Sequence, residues 1–213
     1  MSTTSTRTKK LVECAIMLAI ATVLSIFPKI DGIWARGGSI TVCSMLPIIL
    51  VSYKHGIKWG LLTGFAFGLL QILTGGFYPA GTTLFAAFMT LILDYVLPYT
   101  LLGLGGMFKG KIKNTSVALV SGTVVSLLLR YASHVVSGYV LWKSIETASE
   151  FLATPGFGIG AWALGSFSGD ALCLIYSFIY NGSYMLPEII ITAVGAFIAS
   201  RIKPLGLDGI KNK

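Results

Sequence analysis

The sequence has little charge, little acid and few of the side chains that do enzymatic chemistry. Charged residues make up 11% of its 213 positions, with 8 acidic residues and 2 histidines. A water-soluble domain of this size carries about a quarter charged residues, so that class is excluded, as is an acidic disordered chain. The three cysteines, Cys14, Cys43 and Cys173, lie far apart in apolar surroundings with no CxxC pair. That spacing argues against a zinc site and against a disulfide framework; neither metal nor cofactor is expected.

What the chain has in abundance is apolar surface, with 54% hydrophobic residues and a mean hydropathy of +0.81. These values define an integral membrane protein. Its apolar runs are too long for transmembrane strands and lack alternation of period two, whereas a spanning helix needs about 20 mostly apolar residues. The fold class is therefore all-α, with six transmembrane helices at about 11–28, 40–54, 57–75, 81–107, 115–142 and 179–202. The second is short for a full crossing. No repeat divides the chain, so residues 1–213 form a single membrane domain.

Charge placement orients this arrangement. With the N-terminus inside, the inner segments hold Arg7, Lys9, Lys10, Lys54, Lys58, Lys109, Lys111, Lys113, Arg201, Lys203, Lys211 and Lys213, and the outer segments hold only Lys29, Arg36 and Lys143. Excess Lys and Arg marks the cytoplasmic side, so both termini are cytoplasmic. The net charge of +8 then reports topology and attraction to anionic lipid rather than nucleic-acid binding. On the outer side, KIDGIWARGGS (29–39) puts Trp34 in a Gly-rich loop. Residues 143–178, including TPGFGIGAWALGSFSGD, form a long connection that reads as a lid or binding element, or as one that hides a partial or re-entrant helix.

Three strings resemble known motifs. GGMFKGKI (105–112) follows a phosphate-loop pattern but ends in Ile112 where a hydroxyl must hold magnesium, so it reads as a basic turn. GSFSG (165–169) would make an intramembrane serine hydrolase of Ser168 with His134 as base, yet its spacing is not that of a nucleophile elbow. In WGLLTGFAFG, Gly60, Gly64 and Gly68 share one helix face, as Ala15 and Ala19 do in the first helix; such small residues let helices pack closely in lipid.

RYASHVVSGYVLW (130–142) is more specific. Arg130, His134, Gly138 and Trp142 recur every fourth residue and so line one helix face. Ionisable groups in a span face a bundle interior or cavity, so this face looks inward, with Trp142 at the mouth and Arg130 deepest. Asp94, beside Tyr95 in the fourth span, needs a partner, whether Arg130, another donor or a cationic ligand. Tyr176, Tyr180, Asn181 and Tyr184 gather near the sixth span. Aromatic faces with one carboxylate and an amide suit a flat, nitrogen-rich cation.

Taken together, RxxxHxxxGxxxW (130–142), YxxxxN (176–181), Trp34 and Asp94-Tyr95 resemble the thiamine-specific S-component, the substrate-binding membrane subunit of energy-coupling factor (ECF) vitamin transporters. The resemblance covers essentially the whole chain. It implies a thiamine pocket near the outer surface of the cell membrane formed by Trp34, Asp94, Tyr95, Arg130, His134, Gly138, Trp142, Tyr176 and Asn181. It further implies that Trp142 stacks on the aminopyrimidine, Asp94 meets its polar edge or neutralises the cation, and His134 and Trp34 flank the thiazolium. Asp94 and Arg130 stand where the family has Glu and Lys, and Tyr78 lies farther from Asp94 than the family spacing. The resemblance assigns Ala15 and Ala19 to docking on a transmembrane coupling subunit joined to two ABC ATPases, with the S-component toppling in the bilayer to deliver its ligand. Another vitamin or a thiamine precursor remains the alternative ligand.

Overall fold

A computed structural model describes residues 3–31, 34, 37–154, 158–202, 205 and 207. Of the residues invoked above, 32–33, 35–36 and 155–157, with Lys203, Lys211 and Lys213, lie outside the described residues. The chain is mostly helical. Among the described residues four helical segments are long and apolar enough to cross a bilayer: Ile57–Gly75, Leu84–Gly106, Thr115–Val140 and Gly169–Ser200.

Helix α1 (Thr3–Ile26) leads into a hairpin of two-residue strands, β1 (Lys29–Ile30) and β2 (Ile40–Thr41), with Lys29 opposite Thr41. This pairing departs from an all-helical reading and is too short for any alternation to announce it. Helix α2 (Leu46–His55) has only 10 residues, about 15 Å at 1.5 Å per residue. It cannot cross a hydrocarbon layer of about 30 Å alone. Gly56, at φ 97, a backbone conformation open to glycine, turns the chain straight into α3 (Ile57–Gly75).

The next segment is a composite rod. Helix α4 (Leu84–Thr90) is capped by Thr83, whose hydroxyl accepts from Ala86 N. It runs into a π-helical turn (Leu91–Val96), then α5 (Leu97–Leu101) and a 3₁₀ stretch (Leu102–Gly106). Pro98 explains the break in regularity, because it has no N–H to give to the Asp94 carbonyl four residues earlier. Such π turns recur at functional sites, and this one carries Asp94 and Tyr95.

Helix α6 (Thr115–Val140), capped by Asn114, packs along α9 (Gly169–Ser200). Between them lie α7 (Ile145–Leu152) and α8 (Gly158–Ser166). The last span thus begins at residue 169, not 179, and the 143–178 connection is largely helical. The carboxylate of Asp170 hid this start. In the first turn it faces the positive end of the helix dipole, and it pairs with Lys143 at 2.6 Å. The α6 helix also stops at Val140, leaving Trp142 two residues beyond it.

The buried residues form two clusters. One is mainly aliphatic, around Ile48, Ile49, Leu102, Leu119 and Leu127; the other is aromatic, around Trp34, Tyr176, Tyr180 and Tyr184. The α3 glycines set the distance between α3 and the composite rod. A Cβ on Gly64 would stand 2.5 Å from the Tyr99 carbonyl oxygen, and one on Gly68 would stand 2.8 Å from that of Tyr95. Their role is close packing, and through it they place the two tyrosines that face the site. GGMFKGKI is a tight turn in which Lys109 and Ile112 form an isolated bridge.

Candidate functional site

A cavity of about 180 Å³ lies between the composite rod, α6 and α9, at the end where α6 stops and α9 starts. Asp94, Tyr95, Arg130, His134, Gly138, Trp142, Tyr176 and Asn181 all line it. Trp34 does not; it lines a larger adjoining space of about 670 Å³, bounded also by α1 and α3. Gly37, Gly38, Ser39, Tyr78, Tyr95, Tyr99 and Trp142 belong to both. The two spaces are therefore an inner chamber and its vestibule, with Trp142 and Tyr95 at the neck.

The chamber's polar floor is a relay. Arg130 Nε donates to His134 Nε2 at 3.4 Å, so the accepting nitrogen is unprotonated and the Nδ1–H of a neutral imidazole is left to face Asp94. His134 Nδ1 lies 3.2 Å from Asp94 Oδ1. The second Asp94 oxygen accepts from Ser137 Oγ at 2.6 Å and from Trp142 Nε1 at 3.5 Å. Asp94 thus has donors from three residues of α6 and its extension. Among the described residues Arg130 forms no ion pair with a carboxylate; its Nη2 donates to Tyr99 O–H at 3.2 Å and its guanidinium lies 4.3 Å from the Tyr99 ring centroid. A guanidinium lying over a ring at this range gains cation–π attraction. The direct Asp94–Arg130 pair open in the sequence is replaced by a histidine between them, reachable because Arg130 and His134 are one turn apart.

The opposite wall is aromatic. Tyr176 and Tyr180 have ring centroids 5.5 Å apart, and Tyr184 lies 6.4 Å from Tyr180. Asn181 lines the chamber, but its polar atoms are committed: Nδ2 donates to Ser177 O at 2.9 Å and His134 O at 3.3 Å, and Oδ1 accepts from Tyr184 O–H at 2.6 Å. It therefore locks α9 to α6 and orients Tyr184. Gly138 has a similar double part. A Cβ there would collide with Ser177 Oγ and stand 3.1 Å from Asn181 Nδ2, so the glycine serves helix approach as much as chamber space.

A cover lies over the vestibule side. Trp34 is 8% exposed; its Nε1 donates to Ser183 Oγ at 2.6 Å and its ring meets Tyr184 edge-on at 5.7 Å. Tyr180 O–H donates to the Gly37 carbonyl at 2.9 Å. Tyr95 O–H donates to Gly76 O at 3.1 Å, tying the segment before α4 to the neck. Tyr78 lines both spaces despite its sequence distance from Asp94, because the turn through Gly76, at φ 84, folds it back. Tyr99 and the Gly37–Ser39 backbone were not legible as site residues. Tyr99 looked like one aromatic among many; its position one turn after Tyr95 was the available signal.

Ser168 lines neither space, and both ring nitrogens of His134 are engaged; nothing in this geometry pairs them as nucleophile and base. Ala15 and Ala19 are exposed on α1, beside exposed Leu11, Val12, Ile16, Ile20 and Val23. Among the described residues no His/Cys/Asp/Glu cluster has the arrangement of a metal site.

Residues 11–154 match the family model described as thiamine transporter protein (Thia_YuaJ). The thiamine transporter ThiT of Bacillus subtilis (strain 168) is 33% identical over 194 residues, covering 87% of this chain and 86% of that protein. A solved structure of ThiT from Listeria monocytogenes superposes with a TM-score of 0.67 at 23% identity, covering 95% of this chain and 98% of the other.

Proposed function

The chain belongs to the thiamine transporter family, and from that membership we propose that it is the thiamine-capturing S-component of an ECF-type importer in the cell membrane. The family and its B. subtilis member are transporters, not enzymes, so the chain is a membrane transport protein. The further reading is that it binds thiamine from outside with high affinity and delivers it inward when docked to a transmembrane coupling subunit and two ABC ATPases. Six spans with both termini cytoplasmic suit this arrangement; α1 and the short α2 with its flanks would complete the four long segments. Twelve basic residues on the inner side against three outside support that orientation.

The observation that carries the ligand assignment is the chamber itself: one carboxylate, Asp94, held by three donors and facing aromatic walls. Thiamine offers a flat aminopyrimidine and a fixed positive charge. Trp142 at the neck stacks on the former, and Asp94 meets its amino edge or the thiazolium charge, with cation–π support from the tyrosines. His134 and Arg130 form the floor, while Tyr95, Tyr176, Asn181 and Gly138 shape the walls. Trp34, in the vestibule, closes behind the ligand. Ordering the cover then occludes it, and the small-residue face of Ala15 and Ala19 lets the coupling subunit approach α1 closely.

Uptake tests this reading. Coexpressed with an energy-coupling module in cells that lack other thiamine uptake, the protein gives ATP-dependent accumulation of labelled thiamine. Uptake that is absent with the module present, or equal for riboflavin, contradicts it.

A further inference from the structure

We infer that Glu188, outside the chamber, is a positioning residue that fastens the cover segment to α9 and so sets how long a ligand is retained. The inference rests on the thiamine-binding reading for its consequence, not for its geometry. Glu188 follows Pro187 in α9 and is 2% exposed. Its Oε1 accepts from both Thr41 N, at 2.5 Å, and Thr41 Oγ1, at 2.7 Å. Thr41 Oγ1 is in turn 2.6 Å from Ser44 Oγ. A carboxyl oxygen this deep, accepting two bonds from one residue 147 positions away, makes a local anchor, since its loss leaves two buried donors unsatisfied.

The anchored segment is the one that covers the cavity. Thr41 ends β2, and Gly37, Gly38 and Ser39 immediately before it line both chamber and vestibule. Among its described residues that segment also meets α9 through single bonds, the Gly37 carbonyl with Tyr180 O–H and Trp34 with Ser183, and through the Trp34–Tyr184 ring contact. The doubly bonded Thr41 is therefore the fixed end, and Trp34 and Gly37 are each held by a single bond. Gly37 and Gly38, at φ 90 and 116, hold the left-handed backbone there, which glycine adopts without strain. Helix α9 thus both walls the chamber, through Tyr176, Asn181 and Tyr184, and holds its cover. Among the described residues Glu188 Oε2 and Thr192 Oγ1, one turn apart, have no hydrogen-bond partner, so a side chain that keeps only the Oε1 acceptor preserves everything the anchor uses.

The test compares Glu188→Met, which keeps the bulk and loses the acceptor, with Glu188→Gln, which keeps an acceptor oxygen, in the full chain in detergent. Two readouts are taken: hydrogen exchange of backbone amides 37–42, which needs no ligand, and thiamine dissociation by stopped-flow tryptophan fluorescence. The expectation is that Met speeds exchange at Thr41 and dissociation about tenfold, the scale of losing bonds to a buried acceptor, while α6 amides keep their protection, and that Gln stays within about twofold of the parent. Met and Gln behaving alike would overturn the inference, since packing alone would then suffice. Should Met fail to fold, Thr41→Val decides: about threefold faster exchange and release are expected from losing one donor, and parental values overturn the anchor. A parent that binds no thiamine defeats the transport reading, and the exchange comparison still settles the anchor.

Discussion

Asp94 and His134 meet at 3.2 Å across the boundary between the composite rod and α6, and Arg130 reaches Asp94 only through that imidazole. Removing the middle member breaks the link between them, while Asp94 keeps Ser137 and Trp142 and Arg130 keeps Tyr99. His134→Ala should therefore weaken thiamine binding by about tenfold, the scale of losing one hydrogen bond to a charged group. Isothermal titration calorimetry of the purified protein measures it; a loss under fivefold would show that the relay does not hold the site.

Gly138 and Ser177 provide a test of helix approach. Gly138→Ala forces a methyl group into Ser177 Oγ, an overpacking that costs about 1–3 kcal/mol. Ser177→Ala also loses its bond to the Val135 carbonyl, at 2.8 Å, so each single variant melts lower than the parent. The double variant should be less destabilised than the sum of the two, a non-additivity visible in detergent-phase thermal unfolding.

Much of this architecture was readable before any coordinates. The α6 face of Arg130, His134 and Gly138 was legible because a four-residue spacing maps directly onto a helix surface, and ionisable groups in an apolar run can only turn inward. Eight of the nine residues named for the pocket line the inner chamber. Trp34 stands in the vestibule, a distinction of depth that a loop sequence does not encode. Three features escaped. The Asp94–His134–Arg130 order depends on side-chain reach, not spacing. The early start of α9 was masked by Asp170, whose charge is matched by Lys143 and by the helix terminus. The π turn arises from Pro98 acting backwards on Asp94, a local effect that apolar periodicity does not reveal.

On α3, two glycines should respond in opposite ways. Gly64→Val must displace the Tyr99 backbone and should lower stability by about 2–3 kcal/mol, dragging thiamine affinity down with it through Tyr99. Gly75→Ala meets open space and should be neutral or stabilising by about 0.5 kcal/mol. Thermal unfolding of the two variants side by side checks the contrast.

Trp34→Phe keeps the ring against Tyr184 but loses the bond to Ser183 Oγ. Because Trp34 lines the vestibule rather than the chamber, thiamine release should quicken about tenfold, the scale of one lost buried hydrogen bond, with association little changed. Stopped-flow mixing separates the two rates; a slowed association with parental release would place Trp34 in the chamber instead.

The central claim is that the chamber around Asp94 takes thiamine. Calorimetric titration of the purified chain with thiamine, run beside Asp94→Asn, tests it most directly. The account predicts saturable 1:1 binding at low-micromolar affinity or tighter, about −8 kcal/mol or better, weakened about 100-fold by the Asn substitution, in line with loss of a charge-assisted contact. Folded protein that gives no thiamine heat, or that binds riboflavin or biotin in its place, would contradict it.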